Sequence, residues 1–202
     1  GAYKKLVRSY YNKTASTDKS NTTSTKLNSN KNAIAQKREL TEVKDAADSL
    51  YEAAGKLTDT SASKSLFKKA DKVTNDITSA VKDYVKNYNS LIEEAADTTN
   101  SKVTGKVSFM TGQANAYKSS LEKVGITINS DKTLSIDEDT FKKSDISDVK
   151  KLFNGSGSMA YQTFVRASDI SSAAENASAS VTSYGADGMY NNYYNSAYNW
   201  YL

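Results

Sequence analysis

The sequence predicts a mostly α-helical fold, an elongated antiparallel bundle of four to five helices carrying one small β-hairpin. Three observations predict it. Apolar residues recur in alternating steps of three and four along several long stretches, which is the period of a helical seam. Proline is absent from all 202 residues, so no proline breaks those helices from within, which permits long ones. One stretch, Gly125 to Asp137, switches to strict alternation of apolar and polar residues, the period of a strand.

Taken in order, Tyr3, Leu6, Val7, Tyr10 and Tyr11 fit one face of a short helix. Residues 12–26 are nearly all Asn, Lys, Thr, Ser and Asp, and read as a solvated linker or loop. The first long helix carries Ala33, Leu40, Val43, Ala47, Leu50, Ala54 and Leu57, stepping 3, 4, 3, 4, 3 from Leu40 onward. Gly55 and the run Thr58-Asp59-Thr60-Ser61 read as its stop. Ser61 or Ser63 is the expected cap of a second helix, with the seam Leu66, Ala70, Val73, Ile77, Ala80, Tyr84, Tyr88, Leu91 and Ala95.

A third helix is expected from Val103 through Val107, Met110, Ala114, Tyr117 and Leu121 to Val124. Gly105 and Gly112 weaken it by roughly 1 kcal/mol each relative to Ala. Gly125 closes it as a left-handed cap. Ile126, Ile128, Leu134 and Ile136 then form a hairpin around Asn129-Ser-Asp-Lys132. A lone hairpin is marginal in water, so its apolar face must lie on helices. Asp137 caps a turn, and Phe141, Ile146, Val149, Leu152 and Phe153 pin the return segment. A fourth, weaker helix over 158–182 shows Tyr161, Phe164, Val165, Ala167, Ile170, Ala174, Ala177 and Val181, with Gly185 and Gly188 interrupting it. The expected organisation is a short helix and polar linker over 1–26, the bundle over 27–182 with its hairpin at 125–137, and a tyrosine-rich helix or tail over 183–202. The seams suit a bundle closed on itself, or one completed by a second subunit.

Composition narrows the function. Apolar residues are 38% of the chain, so the core is thin and suits a narrow helical seam better than a globular enzyme. Cysteine and histidine are both absent. That removes Ser-His-Asp and Cys-His catalysis, thiolate zinc sites and histidine haem ligation. The net charge of +4 comes from 27 basic and 23 acidic residues with interspersed signs, a solvated surface rather than a nucleic-acid stripe. No apolar run reaches about 18 residues, so no membrane span is expected. No export-signal pattern stands at the start, and Gly1 reads as a cloning remnant, which leaves room for a trimmed segment before Ala2.

The remaining constellations are weak as chemistry. Asp131, Asp137, Glu138 and Asp139 suggest a calcium loop but lack the glycine an EF-hand needs, and Asp137 is better read as a cap. Glu93-Glu94 reads as a solvated face. The Asn-x-Ser/Thr matches at Asn12, Asn21, Asn154 and Asn176 are what chance gives in such a chain. The terminal cluster is different. Tyr190, Tyr193, Tyr194, Tyr198, Trp200 and Tyr201 supply large, rigid, amphipathic contact area. They suit a fifth helix docked on the bundle, a partner interface, or stacking on sugar rings.

Three motifs also resemble a known family. Asp83-Tyr-Val-Lys-Asn-Tyr88-Asn89-Ser-Leu91-Ile92 is similar to the "F/Y-V-x-x-Y-N-x-L" helix of the bacterial flagellar filament cap proteins (hook-associated protein 2). Leu121-Glu-Lys-Val-Gly125-Ile126-Thr-Ile128 with Lys132-Thr-Leu134-Ser-Ile136-Asp137 resembles their "L-G-I-x-x-x-x-x-G-x-L-x-L-D" hairpin, with Lys132 where that family usually has glycine. Asp148-Val149-Lys-Lys-Leu152-Phe153 resembles their "V-x-x-L-F" segment. The resemblance spans roughly 73–160. It implies the helical stem of flagellin-like axial proteins, exported without cysteine and oligomeric at a filament tip.

The expected function is therefore non-enzymatic: a structural, assembly protein acting by helix-helix association, extracellular or on a bacterial cell surface, with no cofactor and no metal. Its partner would be a protein or a second copy. The alternative is a secreted or surface-bound binding module that uses the tyrosine-rich end for a glycan or protein.

Overall fold

The computed structural model describes residues 22–61 and 63–183, with side chains over 31–61 and 63–181. They fall into two units, one of 22–37 and 179–183 and one of Arg38–Ser178. The expected helix at 3–11 and the tyrosine cluster at 190–201 lie outside the described residues.

The described residues form seven helices and one two-stranded sheet. In chain order they are α1 (Thr22–Thr58), α2 (Asn75–Ala95), α3 (Ser101–Asn115), α4 (Lys118–Lys123), β1 (Ile126–Ile128), β2 (Leu134–Ile136), α5 (Glu138–Lys143), α6 (Ile146–Phe153) and α7 (Met159–Ser183). The fold is mostly helical with one hairpin, as expected. In the smaller unit, α1 is already helical from Thr22, inside the stretch expected to be linker.

In the larger unit, the seam of α1 is the one its spacing predicts. Leu40, Val43, Ala47, Leu50, Ala54 and Leu57 are all fully buried. Gly55 does not stop this helix, which runs on to Thr58. A Cβ there would lie 3.3 Å from the Phe164 ring, so the glycine instead admits that ring.

α2 begins later than expected. Thr74, not Ser61 or Ser63, is its cap, and its hydroxyl accepts the Ile77 amide at 3.2 Å. Leu66, Ala70 and Val73 therefore lie in a non-helical segment, where Phe67 is the buried anchor. From Ile77 through Val81, Tyr84, Tyr88 and Leu91 to Ala95 the helix buries one face. Asn100 caps α3 by accepting the Val103 amide at 3.2 Å. The single helix expected over 103–124 is two. Tightened bonds from Ala116 to Gln113 and from Tyr117 to Ala114 end α3, and α4 carries Leu121 into the core.

Gly125 (φ +76°) turns the chain into β1. A Cβ on it would sit 2.8 Å from Thr140 Cβ, so only glycine fits. β1 pairs antiparallel with β2, Ile126 opposite Ile136 and Ile128 opposite Leu134. Ile126 and Leu134 are buried, which places the apolar face of the hairpin on the helices. Asn89 of α2 holds it there. Its amide donates to Leu134 O at 2.8 Å and its carbonyl accepts Leu134 N–H at 2.7 Å. Asp137 then caps α5, accepting the Asp139 and Thr140 amides at 3.1 Å. Asp145 caps α6 in the same way through Ser147.

α7 is the helix on which the others meet. Ser171 donates to Asp48 of α1 at 2.6 Å, Thr163 shares a 2.8 Å hydrogen bond with Tyr84 of α2, and Gln162 donates to the Tyr117 hydroxyl at 2.7 Å. Residue numbers rise along α1 and α3 as they fall along α7, so both run antiparallel to it. Its buried face is Ala160, Thr163, Ala167, Ile170, Ser171 and Ala174. Small side chains there let three helices approach closely.

Candidate functional site: an aromatic face beside a cationic groove

The seam expected for α7 put Tyr161, Phe164 and Val165 inward. The structure turns Tyr161 and Val165 outward and leaves Phe164 half-buried against Gly55 of α1, because the alanines and Thr163 take the inner positions. Tyr161 and Val165 are each 37% exposed, and Tyr51 on the neighbouring α1 is 39% exposed. Tyr51 stacks on Phe164 with ring centroids 4.1 Å apart and planes at 22°. Tyr161 continues the stack, 6.1 Å from Phe164 at 26°. Three near-parallel rings thus lie across two antiparallel helices, Tyr51 and Tyr161 part-exposed and Phe164 half-buried between them. Rings fully used for packing are the buried ones elsewhere: Tyr84, Tyr88, Phe141 and Phe153 meet at edge or tilt.

On the α3 side of α7 lies a groove of about 380 Å³ lined by Lys102, Gly105, Lys106, Phe109, Arg166 and Asp169. Phe109 is 55% exposed. The Arg166 guanidinium lies 4.7 Å above its ring, donates from Nε to Gln113 at 3.2 Å and from Nη1 to Asp169 at 3.2 Å. Lys102 and Lys106 are exposed on the same stripe of α3. A second groove, of about 330 Å³, joins the end of α1 to α2; Lys56, Lys64, Asp59, Asp76 and Asp83 give it mixed sign.

Three of the four acidic residues weighed as a calcium loop are committed elsewhere. Asp131 accepts the Thr133 amide and hydroxyl inside the turn, and Asp137 is a cap. Glu138 bridges Lys142 at 2.8 Å and Lys82 at 2.7 Å, and those two ammonium groups pull its carboxyl down to about 2. Among the described residues no group of three or more acidic side chains converges to hold a metal. Burial pushes the Tyr84 and Tyr88 phenols well above the usual range, so neither ionises near neutrality. No described helix is long and apolar enough to cross a membrane.

The predicted contact residues Tyr190, Tyr193, Tyr194, Tyr198, Trp200 and Tyr201 lie outside the described residues. The residues that form the observed face were not singled out from sequence as a surface. A signal for two of them exists: Tyr51 and Phe109 each stand one position off a seam residue, Leu50 and Met110. A large aromatic off its own seam must find another neighbour or face solvent.

Compared with known protein families, curated proteins and solved structures, the chain matches none.

Proposed function

We propose that this chain is a non-enzymatic structural protein that assembles by helix-to-helix association, in the manner of the stem of flagellar cap or flagellin-like axial proteins. The observation that carries this reading is the outward stack of Tyr51, Phe164 and Tyr161, extended by Val165. These rings sit on helices whose core-facing seams are already buried, and aromatic clusters of this kind are what helix interfaces use as anchors. The occupant we assign is a helix of a second copy. The three flagellar-like motifs, in order over roughly 73–160, support the same reading, which carries with it a proposed location outside a bacterial cell. Tyr190, Tyr193, Tyr194, Tyr198, Trp200 and Tyr201 are proposed as a further contact surface. Light scattering of the full chain from about 10 µM to about 1 mM tests the proposal. A mean mass that climbs with concentration is expected; a constant monomer mass across that range overturns it.

The partial exposure of Tyr51 and Tyr161 supports a second reading, a surface-bound module that holds a sugar ring against their open surfaces. In that case the chain stays monomeric and the Tyr51 and Tyr161 ring resonances move when oligosaccharide is added.

A further inference from the structure

Gly105 poses a question that packing does not answer. It lies mid-helix in α3, where glycine costs roughly 1 kcal/mol relative to alanine. Its φ is not positive, and a Cβ there would meet nothing within 4 Å. Gly112, one heptad on, is equally free of contact. The two differ in one respect: Gly105 forms part of the groove lining and Gly112 does not.

The rest of that lining is organised for negative charge. Lys102 and Lys106 stand one helical turn apart, a rise of about 6 Å. Neither is in an ion pair among the described residues. Arg166 faces them from α7, with its plane fixed by Gln113, Asp169 and the Phe109 ring. Its Nη2 makes no hydrogen bond among the described residues. A guanidinium held in one plane with a free edge is suited to a carboxylate. Asp169 occupies only the Nη1 side. Phe109 and the bare backbone at Gly105 offer hydrocarbon contact between the cations.

We propose that this groove is a docking site for an acidic helical segment of a partner protein, one that presents two carboxylates a turn apart. The spacing of the cations selects that ligand. A single tetrahedral anion meets one or two of them, whereas carboxylates at positions i and i+4 of a helix span about the same 6 Å as Lys102 and Lys106. Gly105 lets the partner backbone come close, which accounts for a glycine the fold does not need. This site is distinct from the aromatic face and does not depend on self-association.

The test uses the full ¹⁵N-labelled chain, titrated at low salt with an alanine-rich helical peptide carrying glutamates four residues apart. Its glutamine twin and inorganic phosphate serve as controls. Binding tighter than about 1 mM is expected, with shifts centred on 102–109 and 166–169 and weakening as salt rises. Lys106→Glu and Arg166→Gln should each lose about tenfold. Gly105→Ala should raise the melting temperature and weaken binding at least threefold, while Gly112→Ala raises the melting temperature and leaves binding unchanged. Equal shifts from the glutamine twin, or binding of phosphate without binding of the peptide, overturn the proposal. So does unaltered peptide affinity in Gly105→Ala.

Discussion

At the hairpin joint, Asn89 gives Leu134 both of its hydrogen bonds, Asp137 takes two amides, and Gly125 has no room for a methyl group. On the face made by α1 and α7, Tyr51 and Tyr161 each leave more than a third of their surface to water. In the first region each residue is explained by a neighbour in the same chain. In the second, large rings are held in order by one another and, for Phe164, by Gly55, with nothing above Tyr51 and Tyr161 among the described residues. The difference separates what builds the fold from what is left over for a partner. The three motifs singled out in the sequence also fall at the joint, with Tyr84 and Tyr88 in the core, Asn89 on the strand edge, Gly125 at the turn, and Leu152 and Phe153 buried.

The contrast breaks most visibly at Gly125. Gly125→Ala forces a side chain into left-handed backbone and against Thr140, and should cost about 3 kcal/mol in urea unfolding. Undiminished stability there means that the joint is not the constraint described.

Two tyrosines one turn apart sharpen it next. Tyr84 shares its hydroxyl with Thr163, whereas the Tyr88 hydroxyl is buried with no partner among the described residues. Tyr84→Phe strands the Thr163 hydroxyl and should lose about 1–2 kcal/mol. Tyr88→Phe removes an unpaired buried hydroxyl and should be neutral or gain up to about 1 kcal/mol. Paired thermal melts check the sign of each.

A third change concerns the hairpin turn. Lys132 has φ +72°, the one non-glycine residue with positive φ among those described. Glycine relieves that strain, so Lys132→Gly should gain about 1 kcal/mol. The resemblance put glycine at this position, and the backbone supplies the reason.

The smallest effect is at Glu138. Its carboxyl is lowered from 4.5 to about 2 in the folded chain. A depressed carboxyl stabilises above its unfolded value and loses that contribution as pH falls through the folded one. Glu138→Gln should therefore melt slightly below wild type at pH 7, with the gap closing between pH 4.5 and about 2. Screening keeps the gap small, because the group is well exposed. A gap that widens on acidification contradicts the assignment.

Much of the joint was legible because its signals are local. Alternation at 126–136, glycine at 125 and an Asp before Glu138 each act within a few residues. The α1 seam was legible because a strict heptad has one solution. Where the chain departed, a local cap or a packing choice beat the period. Thr74 starts α2 although Leu66 and Val73 continue its steps, since the capped end lies at Thr74 and Phe67 fills the core instead. Leu121 and Val124 stay buried across the break at Tyr117, so the spacing alone hid two helices as one. In α7, size misled: Tyr161 and Val165 look like core, but alanines let α1, α2 and α3 come near. That inversion hid the aromatic face, and Arg166 gave no sequence signal, since its role depends on Phe109 and Gln113 more than fifty residues away.

The central claim is that the outward rings work by association and not by holding the fold. Sedimentation velocity of the full chain over a rising concentration series, wild type beside Tyr161→Ser, tests it most directly. The wild-type coefficient should climb with concentration. The variant's should stay flat, with stability within about 0.5 kcal/mol of wild type. Identical traces for the two chains, whether flat or climbing, contradict it.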